Sequence, residues 1–406
     1  MELVVDKYKQ TEIGLIPNDW EVKKLGNVSD ITKLAGFEYS LHFNSYNDGG
    51  DIIVVRGTNI THNKMDLSDV KNIPASTSNK LQRSKLFKND LVFAYVGTIG
   101  PIYLIEEDNK YHLGPNTSKI TVNRELFSKF AYHYFTSGLL KKEIIEHTSI
   151  GAQPSLSMSK IRSFRIIVPS LAEQTAIANA LSDGDALITG LEKLIAKKRN
   201  IKQGAMQQLL QPKEGWEVKK LSEVCDVIGG GTPSTFVSEY WNGTINWFTP
   251  TEIGKHKYTF ESVRKITKEG FLNSSGKILP IGSILLTTRA GIGDVSILMK
   301  EGCTNQGFQS LVAKKGYNNE YLYYLITTLK NVLIQNASGS TFLEISPNKI
   351  KQIEISISDY KEQTRIATIL SDMDAELTLL EQKLEKYKKI KLGMMQELLT
   401  GRTRLV

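Results

Sequence analysis

The 406-residue chain lacks most of the features that point directly to a chemistry. It has two cysteines, Cys225 and Cys303, too few for a disulfide framework or a four-cysteine zinc site. No stretch approaches the roughly 18 consecutive apolar residues of a membrane span, so no membrane partner is expected. The opening MELVVDKYKQTEIGLIP is too charged for a secretory signal, and a cytoplasmic location is expected. The six histidines, His42, His62, His112, His133, His147 and His256, are scattered without metal-ligand spacing. There is no GxxxxGK[ST] phosphate loop and no HExxH pair. An Asn-Pro-Pro-aromatic motif and an acidic-acidic-Lys nuclease cluster are also missing. The run Gly229-Gly-Gly-Thr232 precedes no helical pattern and reads as a turn. With no metal, no cofactor and no catalytic residue in view, the sequence reads as that of a binder.

What is present begins with charge. Lys and Arg number 51 against 43 Asp and Glu, a net charge of +8 that hints at a polyanion. Hydrophobic content of 40% and charged content of 23% are those of a folded globular protein, and the length predicts two or three domains.

The chain also repeats itself. Trp20-Glu-Val-Lys-Lys-Leu25 recurs letter for letter as Trp216–Leu221. Glu173-Gln-Thr-x-Ile-Ala-x-x-Leu-Ser-Asp-x-Asp-Ala186 returns as Glu362–Ala375, and Ile201–Leu210 matches Ile390–Leu399. Two such blocks in the same order identify a tandem duplication. Between them, residues 32–150 and 228–340 align poorly, sharing little beyond Ile99-Gly100 and Ile292-Gly293. The expected organisation is a common frame around two private interiors.

The segments from about Glu173 to Leu210 and Glu362 to Leu399 lack proline and are rich in helix formers. A 3-4 repeat runs along each. In the first copy it passes through Leu181, Ile188, Leu191, Ile195 and Leu209; in the second, through Leu370, Met373, Leu377, Leu380, Leu384, Met394 and Leu398. A seam kept over about four heptads predicts a coiled coil of roughly 57 Å per helix at 1.5 Å per residue. Lys198, Lys202 and Lys391 fall on this seam. They would either fix register, as polar seam residues do, or snorkel at a frayed end. The fold expected is α+β: two pseudo-two-fold-related globular domains separated by two long helices in an antiparallel coiled coil. The divisions are 1–170, 171–211 (helix), 212–359 and 360–406 (helix and tail). The tail Leu399–Val406 followed by Thr11–Pro17 would rebuild the linker seen at Leu210–Gly215, bringing the two ends of the chain together.

The interiors contain β-rich runs at 51–57, 90–96 and 282–289, and one helix-like aromatic segment each, Leu126–Leu140 and Glu320–Ile334. They also contain the side chains that read DNA. Arg and Asn/Gln address base edges, while Lys and Ser/Thr mostly hold phosphates. The candidates in the first interior are Arg56, Asn59, Lys64, Arg83, Lys85, Asn116, Ser118 and Lys119. In the second they are Lys255, Lys257, Arg264, Thr288, Arg289, Asn305, Gln306 and Gln309. Arg56 and Arg289 each close an apolar run, where a strand would present a side chain.

Thr11–Gly26, Pro212–Val224, the two EQTxIAxxLSDxDA blocks and the GAMQQLL and GMMQELLTG helix ends stand in one order. In that order the chain resembles the specificity (S) subunit of Type I restriction-modification systems over nearly its whole length. The resemblance implies two target-recognition domains, each reading half of a bipartite, asymmetric double-stranded DNA site. It implies no catalytic residue. Two modification (methyltransferase) subunits and the restriction/translocase subunits would be its partners, and would carry S-adenosylmethionine, ATP and magnesium. From residues alone, a coiled-coil scaffold with two protein-binding end domains stays open as the alternative.

Overall fold

The computed structural model describes residues 7–43, 50–148, 154–289, 291–339 and 343–405. It divides into two compact units, Met1–Glu192 with Lys383–Val406, and Lys193–Gln382.

The frame of each unit is a two-stranded antiparallel pair made from the repeated sequence. Glu21–Lys24 pairs with Arg165–Val168 in the first unit, and Glu217–Lys220 with Glu354–Ile357 in the second. A four-stranded antiparallel sheet follows in the first unit, in the order Ile102–Leu104, Leu91–Ala94, Thr117–Val122, Ser29–Lys33. The second unit has a five-stranded sheet, Cys225–Gly229, Gln309–Ala313, Ile284–Leu286, Val295–Leu298 and, parallel to the last, Tyr258–Thr259. Each unit adds a three-stranded sheet with one parallel and one antiparallel pairing. Ile52–Val55 lies between Tyr111–Leu113 and Lys71–Ile73; Trp241–Phe248 lies between Gly302–Thr304 and Arg264–Ile266.

The two interiors are therefore not private folds. Ile120 stands opposite both Leu91 and Ile31, as Leu311 stands opposite both Ile284 and Val227. Strand order and register repeat where the letters do not, because a buried strand needs only alternating apolar bulk to keep its place.

The aromatic helical segments also differ from expectation, since each is two helices. Ser128–Thr136 and Gly138–His147 are separated at Ser137, whose extended backbone (ψ 164°) stops the first helix and whose Oγ accepts from Leu139 N at the start of the second. This is ordinary N-capping by serine. Asn319–Thr328 and Lys330–Asn336 form the corresponding pair.

The long helices, Leu171–Leu209 and Tyr360–Leu398, have 39 residues each, and they pack together. On the seam, Leu181, Ile195, Leu370, Leu377 and Leu398 are buried. Ile188, Leu191, Leu209, Met373, Leu380, Leu384 and Met394 are half-buried. Off the seam, Leu187, Ile201, Leu379 and Leu392 are exposed. Each seam lysine reaches an acid on the opposite helix. In the first unit Lys391 pairs with Asp185 at 2.5 Å. In the second, Lys198 pairs with Glu376 at 2.7 Å and Lys202 with Asp374. Ion pairing, not snorkelling, is what these lysines do.

The end of the chain folds back onto its beginning within the first unit. Tyr8 Oη donates to Gly401 O at 3.1 Å. Arg404 donates to both Asp19 oxygens, at 3.0 and 2.8 Å, and also binds Glu173. Glu173 in turn accepts from Trp20 Nε1 at 2.8 Å.

Candidate nucleic-acid interface

In both units two loops leaving the parallel strand pair and the turn of an antiparallel hairpin meet at one edge. In the first, Gly114 N donates to Val55 O, Tyr95 N to Asn116 O and Gly100 N to Ala94 O, at 2.9, 3.1 and 3.1 Å. In the second the same three bonds run from Asn305 N to Phe248 O, Thr288 N to Gly307 O and Gly293 N to Thr287 O, at 3.1, 2.8 and 3.0 Å. This edge gathers Arg56, Asn59 and Asn116 in the first unit, and Thr288, Arg289, Asn305 and Gln306 in the second. The shared Ile99-Gly100 and Ile292-Gly293 are its common turn. Arg56 and Arg289 are not counterparts: by these bonds Arg56 corresponds to Thr249, and Arg289 to Val96.

Several candidate side chains are engaged internally. Arg56 Nε donates to Asn59 Oδ1 at 3.1 Å, and its Nη2 to Asp69 O and Oδ2 at 2.5 and 3.0 Å. Asn59 is buried and donates to Asp66 O and Asp69 O at 3.1 and 2.8 Å, so the pair braces the 57–69 loop. Ser118 is buried with its hydroxyl on Phe93 O. Lys119 Nζ donates to Lys85 O, and Lys85 Nζ to Asn79 Oδ1. Both ammonium groups lie over the Phe87 ring. Burial lowers the Lys119 pKa from its ordinary value. Beside them burial, helped by these two cations, pushes His112 down to about 4. Lys257 sits over the Tyr324 ring at 4.5 Å and donates to Tyr324 Oη and Ser371 Oγ, with Glu320 as its counter-ion. Thr288 and Gln309 are buried.

Other candidates are open to solvent. Asn116 is exposed in the left-handed region (φ 64°), which Asn tolerates through its short polar side chain. Arg83, exposed, lines a recess of about 450 Å³ with Arg162, Lys119 and Asp30. Lys64 is exposed and pairs with Glu192 at 3.3 Å. Lys255 is exposed. Arg289 pairs with Glu344 at 2.8 Å. Asn305 Oδ1 accepts from Gly307 N at 2.9 Å, and Gln306 Oε1 from Thr232 Oγ1 at 2.5 Å. The Arg264 guanidinium stacks 3.6 Å over the Trp241 ring, a cation–π arrangement that keeps its edge available.

Sequence reasoning missed a joint in each unit. The repeated Ser-Asp-x-Asp block on each long helix grips a recognition-unit helix. His133 Nε2 lies 3.0 Å from Ser182 Oγ and His133 Nδ1 3.9 Å from Asp185, which binds Lys391. In the second unit Tyr324 Oη donates to Asp374 at 2.5 Å and reaches Ser371 at 3.4 Å, and Asp374 binds Lys202. The block's recurrence was the available signal; its partners lie too far away in the chain to be read. Among the described residues no group of His, Cys, Asp or Glu is arranged to hold a metal ion, and no helix is long and apolar enough to cross a membrane.

Comparison with known proteins gives one consistent result. The specificity subunit of the Methanocaldococcus jannaschii Type I restriction enzyme MjaIX is 42% identical over 167 residues, 40% of this chain and 38% of its own length. The Escherichia coli EcoR124I/EcoR124II specificity subunit is 32% identical over 213 residues, about half of each chain. The putative MjaX specificity subunit of M. jannaschii is 24% identical over 98% of this chain and 97% of its own. The chain thus spans only part of the first two relatives and nearly all of the third. The fold is that of the Type I restriction-modification S subunit of M. genitalium (TM-score 0.59, 15% identity, 93% and 96% of the two chains). It is likewise that of a chain from a structure bearing on complex assembly and conformational transition of the type I R-M system (TM-score 0.60, 17% identity, 96% and 99%). Residues 17–203 and 213–389 each match the Type I restriction modification DNA specificity domain, and with both halves accounted for, the chain belongs to that family.

Proposed function

We propose that this chain is the non-catalytic, sequence-specific DNA-recognition subunit of a Type I restriction-modification complex. Each unit reads one half of a bipartite, asymmetric site in double-stranded DNA. The observation that carries this reading is one loop edge, built by the same backbone bonds in both units, bearing different side chains. Arg56 and Asn116 are at least partly exposed on it in one unit and Arg289, Asn305 and Gln306 in the other, with Asn59 and Thr288 buried behind them. A common scaffold with unlike contents reads two unlike half-sites. The long helices act as an antiparallel coiled coil that sets the spacer and docks two methyltransferase subunits, to which the restriction/translocase subunits add. The seam burial and the lysine–acid pairs between the helices support that role, because they hold register against sliding.

Mapping methylated adenines in cells with and without the gene tests the reading: a bipartite motif should vanish with the gene. Exchanging residues 20–160 for another recognition domain should change one half-site and leave the other half and the spacing intact. Inserting a heptad into both helices should change the spacing alone. A map unaffected by gene loss rejects the reading. DNA affinity should fall by orders of magnitude between about 50 and 200 mM salt, whereas a protein-binding scaffold need show no such loss.

A further inference from the structure

The glycine run that reads as a plain turn in the sequence builds a braced loop. A side chain at Gly230 would sit 2.0 Å from Asn305 O, and one at Gly231 2.4 Å from Gly276 N, so only glycine allows these close approaches. The loop is then tied at four points. Gly231 N donates to Thr304 O at 2.8 Å, and Trp247 Nε1 to Gly231 O at 2.9 Å. Trp241 Nε1 donates to Ser234 O at 3.1 Å, and Thr232 Oγ1 to Gln306 Oε1. At its end stands Phe236, 98% exposed. A rigid loop that holds an aromatic ring wholly in water is organised for something that covers the ring.

The neighbouring charges indicate what that is. No acidic side chain occurs between Gly229 and Val237. Arg264, stacked on the same Trp241 that ties the loop, is exposed, and so is Lys277, next to the Gly276 that Gly231 packs against. Neither cation has an ion-pair partner among the described residues. A preorganised ring flanked by free cations suits nucleic acid: the ring stacks on or wedges between bases while the cations take phosphates. Through Thr232–Gln306 the loop joins the edge already described. The first unit offers a parallel, since the helix Gly36–His42, which follows its equivalent strand, leaves Phe37 and Leu41 exposed at 66% and 70%.

We propose that Gly230–Phe236 is a reading loop of the second recognition unit and that Phe236 is its specificity-determining contact, an apolar wedge against a DNA base step. This rests on the function proposed above. The test uses the full chain with its methyltransferase partner in cells that carry the gene, comparing wild type, Phe236→Ala and Phe236→Trp by mapping methylated adenines. Phe236→Ala should weaken selection at one or two positions of a single half-site by about 5- to 150-fold, the range for losing one base–aromatic stack. The other half and the spacer should be unchanged, and so should the melting temperature, because the ring touches little in the free protein. Phe236→Trp should restore selection. An unchanged map for Phe236→Ala overturns the proposal. So does a uniform loss of methylation at every site together with loss of methyltransferase co-purification, which would make the ring a protein contact. Absence of any bipartite motif with the wild-type chain instead rejects the functional reading itself, before any variant is compared.

Discussion

Trp20 and Trp216 stand in identical hexapeptides, yet Trp20 is fully buried and Trp216 only half so. In the first unit the end of the chain closes over the indole: Gly401 lies against it, the Arg404 guanidinium is 5.5 Å from the ring, and buried Glu173 accepts its N–H. In the second unit the linker supplies Lys213, 5.9 Å from the Trp216 ring and 3.9 Å from Glu362. The joints contrast in the same way. Asp185 and Asp374 are equivalent, but one faces His133, whose pKa burial holds down at about 4, and the other accepts from Tyr324, whose pKa burial and that bond raise. Identical letters thus acquire different energies from neighbours remote in sequence. A frame is duplicated cheaply, while each unit keeps its own balance of stability.

That contrast can be broken by measurement. Trp20→Ala should cost about 3–5 kcal/mol, the range for emptying a fully buried large aromatic. Trp216→Ala should cost roughly half as much, because less of its surface is lost from burial. Denaturant midpoints decide it, and equal shifts would mean that the tail over Trp20 adds nothing.

Acid should separate the units next. His133 and His112 are held neutral, with folded pKa values near 4 against an ordinary 6.5. The unfolded chain therefore binds more protons between those values, and their stabilisation, full above pH 6.5, is lost as pH falls toward 4. Each imidazole contributes up to about 3 kcal/mol. The second unit has Tyr324 and Cys303 at the corresponding positions. Hydrogen exchange at pH 5 should show protection falling in the first unit and holding in the second; a uniform fall would erase the distinction.

Smaller effects sharpen the comparison. Arg404→Ala strands a fully buried Glu173 carboxylate and should cost about 2 kcal/mol, as removal of one partner of a partly buried pair does. Lys213→Ala, at an exposed pair, should cost about 0.5 kcal/mol or less. Thermal melts of the two variants would show it. Asp374→Ala should then exceed Asp185→Ala by about 1 kcal/mol, because it leaves Tyr324 Oη only the longer bond to Ser371. A double-mutant cycle with Tyr324→Phe isolates that bond.

The candidate surface was only partly legible beforehand. Residue type makes Arg264, Arg289, Asn305 and Gln306 candidates, and they do reach the surface of the second unit. Lys257 is a candidate on the same grounds, yet it is enclosed by Tyr324, Ser371 and Glu320, far along the chain. A positive charge looks the same in sequence whether water or a tyrosine, a serine and a glutamate surround it.

The sequence by itself determined the duplicated frame, the two long helices with their seam, and the family. Each of these rests on short-range pattern: a helix face is written at spacings of three and four, and a repeat is written in its letters. Only the tertiary structure decided that the dissimilar interiors share one strand order, that Arg56 and Arg289 are not counterparts, and that Gly230 and Gly231 let a loop be braced instead of merely turning the chain. Those outcomes depend on which distant strand lies alongside which. Strand pairing joins residues through backbone groups that every residue carries alike, so the partner cannot be read from the side chains of one strand.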